Sequence, residues 1–311
     1  MSGGSALGPG REFDLIRAML ERWGERARGI GNDTATIDVP AGERLVVSTD
    51  ASVENVHFRR EWLTPREIGY RATAAALSDL AAAAAMPIGV LPTLTIPEAW
   101  LPHALELADG IGEAAQECGT FVLGGDLSGG KELALVFAVL GHAAEPLRRD
   151  SAHAGDALYL TGRLGGPFAA LHAWKTGREP LPEARARFAH PEPRIREARW
   201  LAEHGAHAAI DISDGLLGDA AHIAHASELR AIIELDTLRT MAEVLPLDAA
   251  KSGEEYELLV AAPPHLDVRP FETAFRLPLT PVGRLERGPP EVHAMMHGRR
   301  VAASGGFSHF M

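Results

Sequence analysis

The chain has one cysteine, Cys118, which leaves it without a disulfide framework or a thiolate metal site. Positive charge is the minority: 30 Lys and Arg stand against 42 Asp and Glu, for a formal charge of −12. No basic cluster relieves that excess, which argues against a nucleic-acid backbone or an anionic membrane as partner. An acidic protein that handles phosphates needs metal cations to do so. Apolar runs of membrane-spanning length are missing, as is a charged-then-apolar leader. These absences together predict a cytoplasmic protein.

What is present is a core. Hydrophobic residues make up 46% and charged residues 23%, and 311 residues suffice for about two domains. Phe13, Ile16, Met19, Leu20 and Trp23 recur at helical spacing. A β-rich run, RLVVSTD (44–50), precedes an alanine-rich helix predicted over 66–84, then an apolar strand over 88–96. A second helix over 98–118 leads to FVLGGD (121–126) and a strand over 132–141. The β pattern restarts at ALYLTG (157–162), HPEPR (190–194) is expected to open a helix, and AAIDISDGL (208–216) reads as strand, turn and helix start. The polar stretch 146–155 separates two apolar runs, which places a boundary near 148. The expected architecture is α+β in two domains, 1–148 and 149–311.

The chemistry concentrates in aspartates that follow apolar runs and small residues. Asp33 follows GIGN, Asp50 follows LVVST, Asp126 follows FVLGG, and Asp211 and Asp214 surround a short IS pair. Asp79 lies inside ATAAALSDLAAAAAMP (72–87), where a lone buried carboxylate is costly unless a cation or strong donors accompany it. Aspartates gathered at strand ends, with no His or Cys among them, suit hard cations such as Mg²⁺ that bridge protein to phosphate. The competing reading is that each is a turn or helix-cap residue.

Two other motifs fail on their mechanics. GDLSGGKE (125–132) approaches a phosphate-binding loop, but Glu132 replaces the required hydroxyl and a strand, not a helix, is expected next. His222 and His225 are three apart on a helix, and without neighbouring acids or Cys they read as a solvated face.

The order of short motifs resembles the thiamine-monophosphate kinase family, within the aminoimidazole-ribonucleotide-synthetase-like superfamily. The pieces are GIGND (29–33), STD (48–50), HF (57–58), LSDLAA (77–82), GGD (124–126), AGD (154–156), HPEPR, DISDGL (211–216), GEEYEL (253–258) and GFSHF (306–310). The resemblance implies a two-domain fold, a homodimer paired through the N-terminal sheets, and ATP-dependent phosphorylation of thiamine monophosphate with several Mg²⁺ ions. It makes Asp33, Ser48, Thr49, Asp50, Asp79, Asp126, Asp211 and Asp214 metal ligands, with Asp50, Asp126 and Asp211 at the centre of catalysis. Gly125, Arg149 and Ser213 become ATP contacts, and His57 and Glu254 substrate contacts.

The chain also departs from the family pattern. Asn32 replaces the first acid of a GDD motif, Glu255 replaces an Asp, and the span 236–253 is short. Ser304 stands where relatives place an aromatic against the thiamine rings, and Ser308 replaces an acid; Trp62, Trp100, Trp174 and Phe307 are candidates to compensate. A kinase for another phosphorylated metabolite and a non-catalytic nucleotide-binding regulator therefore stay open as alternatives.

Overall fold

The structure, a computed structural model, describes residues 10–30 and 34–302. Asn32, Asp33, Ser304, Phe307, Ser308 and the GFSHF motif lie outside the described residues. The chain divides into two compact units, one holding residues up to 80 and 86–145, the other 81–85 and 146 onward. The division falls at Glu145 rather than 148, and the five residues 81–85 group with the second unit. Leu147 N–H donates to Ala83 O at 3.1 Å, which ties that short segment there.

The first unit contains α1 (Arg11–Trp23), β1 (Arg44–Val53), most of α2 (Pro65–Ala82), β2 (Met86–Ile96), α3 (Ala104–Glu117), β3 (Asp126–Gly129) and β4 (Ala134–Ala143). The expected helix over 98–118 is instead a 3-10 turn, Glu98–His103, followed by α3, because Pro102 cannot donate inside an α-helix. The sheet order is β1-β4-β2-β3, antiparallel except for the β2–β3 pair. Phe137, Val139, Leu94 and Val90 supply buried side chains from the sheet. Small residues in α2 let it touch α3 backbone to backbone: a Cβ on Gly69 would lie 2.1 Å from Leu107 O, and one on Gly110 only 1.9 Å from Arg66 O.

The second unit contains β5 (Ala157–Thr161), α4 (Gly166–Lys175), α5 (Pro182–Ala189), α6 (Ile195–Glu203), β6 (Ala208–Asp211), α7 (Leu216–Ala226), β7 (Arg230–Glu234), α8 (Pro246–Ala249), β8 (Leu258–Ala262), α9 (Val268–Phe275), β9 (Leu279–Glu286), β10 (Val292–Met296) and β11 (Arg299–Arg300). Its sheet runs β11-β10-β7-β9-β5-β8-β6, with β10 parallel to β7 and the other pairs antiparallel. β8 is buried at every position, and Leu216, Leu217, Ala220, Ile223 and Ala224 of α7 join the same core as Leu259 and Ala261. HPEPR leads into a helix as expected, but with its prolines ahead of the first turn rather than inside it. Pro191 and Pro193 precede α6, which starts at Ile195 with Arg194 at its cap.

Arg194 explains that motif. Its guanidinium donates through Nε (2.8 Å) and Nη2 (2.7 Å) to Glu257, which is 1% exposed. Arg187 Nη2 at 2.8 Å and Thr161 Oγ1 at 2.7 Å complete the shell around the same carboxylate. Burial alone would raise the Glu257 pKa, but the two guanidinium groups overcome it and hold the carboxyl at about 2. HPEPR and the end of GEEYEL are thus two halves of one buried ion pair.

Candidate active site

On the first unit, strand parity sorts the STD motif. Ser48 and Asp50 are half-buried and share one face of β1, whereas Thr49 points to the exposed opposite face. Asp79 of α2 meets that inner face: Ser48 Oγ donates to Asp79 Oδ2 at 2.5 Å. Asp79 is also half-buried, unlike the fully buried positions on either side, so its desolvation is smaller than an apolar helix suggests. Asp50 is inside β1, three residues short of its end, and its Oδ1 accepts the N–H of Ala51 at 2.7 Å. His57 is oriented through Nδ1, which accepts the Val53 N–H at 3.1 Å, leaving Nε2 as the protonated nitrogen.

Asp126 also departs from the strand-end expectation, since it begins β3 rather than ending a strand. Gly125 before it has φ 153°, and a Cβ there would lie 2.2 Å from Pro92 O, so only glycine fits. The sheet order sets β1 and β3 at opposite edges, with β4 and β2 between them. Asp50 pairs with Phe137 and Phe137 with Pro92, whereas Asp126 pairs with Thr93, so the two acids lie near one row across four strands but on opposite faces by strand parity. Three strand spacings put them about 14 Å apart, beyond the roughly 11 Å over which two aspartates share one ion. One chain therefore does not bring Asp50 and Asp126 to a common cation.

On the second unit, Asp211 ends β6 and is 5% exposed. The following turn docks on the GEEYEL loop through main-chain bonds: Glu254 N–H to Ser213 O (2.7 Å), Glu255 N–H to Ile212 O (3.0 Å) and Ile212 N–H to Glu257 O (2.8 Å). Glu254 adopts a left-handed φ of 63°, a strain held by that docking. Asp211, Ser213, Asp214 and Glu254 are thereby brought together on one pair of loops. Arg149 is not. It is exposed, its carbonyl accepts from Ser227 Oγ at 2.8 Å, and Ser227 is the C-cap of α7, whose N-terminal end carries the Asp214 turn. The eleven residues of α7 separate Arg149 from Ser213 by about 16 Å.

Asp219 is the acid that the motif reading missed. It is 2% exposed, and its Oδ2 accepts the N–H of Asp214 (3.2 Å) and of Gly215 (3.1 Å), fixing the turn. Burial, then the charges of Asp211 and Asp214, push its carboxyl up to about 8. Asp214, Asp219 and His222 bring ligand atoms within 4.8 Å of one another, so His222 does have acidic neighbours, contrary to the expectation of a plain solvated face. The signal was legible as Asp219 one helical turn before His222.

Both halves of the chain match one family: AIR synthase related protein, the N-terminal domain over residues 31–143 and the C-terminal domain over 153–294. The thiamine-monophosphate kinase of Rhodopirellula baltica is 35% identical over 290 residues, covering 87% of each chain. The chain belongs to the thiamine-monophosphate kinase family. The crystal structure of thiamine-monophosphate kinase from Stenotrophomonas maltophilia K279a superposes with a TM-score of 0.79 at 32% identity, over 91% of this chain and 95% of that one. A solved complex of AaThiL with AMPPCP and TMP gives a TM-score of 0.78 at 28% identity, over 96% and 95%.

Among the aromatics proposed to replace the one missing at Ser304, Trp100 is a core residue, 3% exposed, with Nε1 donating to Glu54 at 3.0 Å. Trp174 packs edge-on against buried Phe188. Trp62 has Arg59 above its ring at 5.0 Å. Burial and the charge of Glu117 push the Cys118 thiol up to about 12, away from the reactive thiolate.

Proposed function

We propose that this chain carries out ATP-dependent phosphorylation of thiamine monophosphate to thiamine diphosphate by direct in-line transfer. The observation that carries the reading is the fold shared over 96% of the chain with AaThiL, whose solved complex holds AMPPCP and TMP. An anionic phosphate oxygen of the acceptor attacks the γ-phosphorus, the bond to the ADP oxygen breaks, and no protein nucleophile or strong general base is needed.

The donor set of Ser48, Asp50, Asp79, Asp126, Asp211 and Asp214 offers oxygen only, which fits Mg²⁺. These residues would hold the ions with Asp33, and with Thr49 acting through its main chain. Bound Mg²⁺ supplies charge neutralisation for the phosphates. Asp50, Asp126 and Asp211 position that charge. The bare backbone at Gly125 admits close approach of a phosphate, Ser213 offers a hydroxyl, and Arg149 a fixed positive charge. The Nε2–H of His57 can donate to the acceptor, and the Glu254 carboxylate suits a cationic thiazolium.

The active species is a homodimer paired through the first unit's sheets. β1 is an open edge carrying exposed Leu45 (49%) and Val47 (58%), and β3 is the other open edge. Pairing β1 of one copy with β3 of the other brings the strand that carries Asp50 next to the strand that carries Asp126, which a single chain holds at opposite edges. In this reading, residues 1–148 form the dimer and carry most of the Mg²⁺-binding acids with Gly125, and residues 149–311 add Arg149, Asp211, Ser213 and Asp214. The compartment that supplies ATP and keeps a lone cysteine reduced is the cytoplasm.

An Mg²⁺-dependent ADP-release assay over a panel of phosphorylated acceptors tests the assignment. Release with thiamine monophosphate is expected. Release only with a different acceptor makes the chain another kinase, and release with none makes it a regulator.

A further inference from the structure

At the far end of β6 from Asp211, a second group of metal-ligating side chains converges. Asp156 precedes β5 and His207 precedes β6, and both strands start beside the C-terminal end of β8, where Ala157 faces Ala262 and Ala208 faces Ala261. His207 Nδ1 lies 3.0 Å from both Asp156 oxygens and 3.1 Å from His153 Nδ1. Asp211 is four residues further along β6, about 13 Å away. The two groups are separate.

The backbone behind these side chains is held in place. His207 N–H bonds Ala261 O at 2.8 Å, Gly155 N–H bonds Leu285 O at 2.8 Å, and Leu285 N–H returns to Asp156 O at 2.8 Å. The Asp156 carboxylate, 4% exposed, is aimed by the His153 N–H at 2.8 Å. His207 is partly covered, with 30% of its side chain exposed, and His153 is exposed.

A single proton serves this geometry only as a shared hydrogen bond, with the His207 Nδ1–H divided between the Asp156 carboxylate and the lone pair of His153 Nδ1. A cation accepts all three lone pairs together, and ligand atoms about 2.0 Å from a tetrahedral ion stand about 3.3 Å apart, close to the separations here.

The geometry points to a His153–Asp156–His207 site for a borderline divalent transition metal of the Zn²⁺ class. Two imidazoles and one carboxylate favour Zn²⁺, Ni²⁺ or Cu²⁺ over Mg²⁺, which sets the site apart from the all-oxygen aspartates. Its occupant clips the segment 149–156, which carries Arg149, to the start of β6.

Calorimetric titration of the full chain with Zn²⁺ in Mg²⁺-free buffer tests this, with Co²⁺ absorbance reporting nitrogen ligation. One nitrogen-ligated site, tighter than any binding at the all-oxygen aspartates, is expected in the wild type, with a raised Tm on binding. His153→Ala and His207→Ala each weaken it by more than the roughly 10–100-fold that loss of an outer-shell partner brings. His153 is exposed, so its variant keeps the metal-free Tm. His222→Ala, in the other cluster, leaves the affinity unchanged. Wild-type affinity in both His153→Ala and His207→Ala, or loss of binding in His222→Ala, overturns the proposal.

Discussion

If the catalytic carboxylates come from two copies, two inactive variants restore each other. Asp50→Asn and Asp126→Asn are isosteric, so each keeps the fold and loses turnover by orders of magnitude. Within one chain the two positions are about 14 Å apart, against a shared-ion reach of roughly 11 Å. Dissociating and reassembling the two variants in equal amounts makes half of the dimers hybrid. In a hybrid, one site draws both altered residues and the other draws neither. Half of the dimers with one working site out of two gives about one quarter of wild-type activity. ADP release measured before and after reassembly reads this directly. If one chain supplies both carboxylates, every site in the mixture retains a defect. Activity no greater than the sum of the parents would then refute cross-copy assembly.

The scaffold yields a contrasting pair. Glu257→Gln strands Arg194 without its counter-charge and is expected to cost about 3–5 kcal/mol, read as a lower urea midpoint. Glu257 titrates near 2 when folded and near 4.5 when unfolded, so its stabilisation is complete above pH 4.5 and is lost as pH falls from there toward 2. The Gln variant therefore has a flatter acid limb, and an unchanged limb contradicts the ion-pair account. Glu255 is the reverse case: burial pushes it up to about 8, so its contribution declines as pH rises from about 4.5 through 8. Glu255→Gln should match or exceed wild-type stability at pH 8, and a large loss there would mark the charged form as required. Asp79→Asn should raise the metal-free Tm slightly and remove most stabilisation by Mg²⁺ with nucleotide; intact ligand stabilisation would make Asp79 only a partner for Ser48.

Local chemistry was readable from the chain because it depends on near neighbours. The two-residue period of a strand already puts Ser48 and Asp50 on one face and Thr49 on the other. Small residues before Asp126 marked a place where backbone must approach closely, and the φ of Gly125 is of that kind. Asp211, Ser213 and Asp214 fall within one turn, so their proximity needed no tertiary information. Strand ends were less legible. Asp50 lies within β1 and Asp126 starts β3, because extended pairing with β4 and β2, not local composition, sets where those strands stop.

What only the tertiary structure decided depends on pairings far apart in sequence. Sheet order put Asp50 and Asp126 on opposite edges, though both follow similar apolar motifs. HPEPR, read as a helix start, became half of a buried ion pair because Arg194 meets Glu257 sixty-three residues later. His153 and His207, fifty-four residues apart and carrying no motif, meet because β5 and β6 flank β8 with the same polarity. A short segment fixes its own φ, ψ and face, whereas long-range contacts are chosen by the core that buries the most apolar surface. That choice belongs to the whole chain at once.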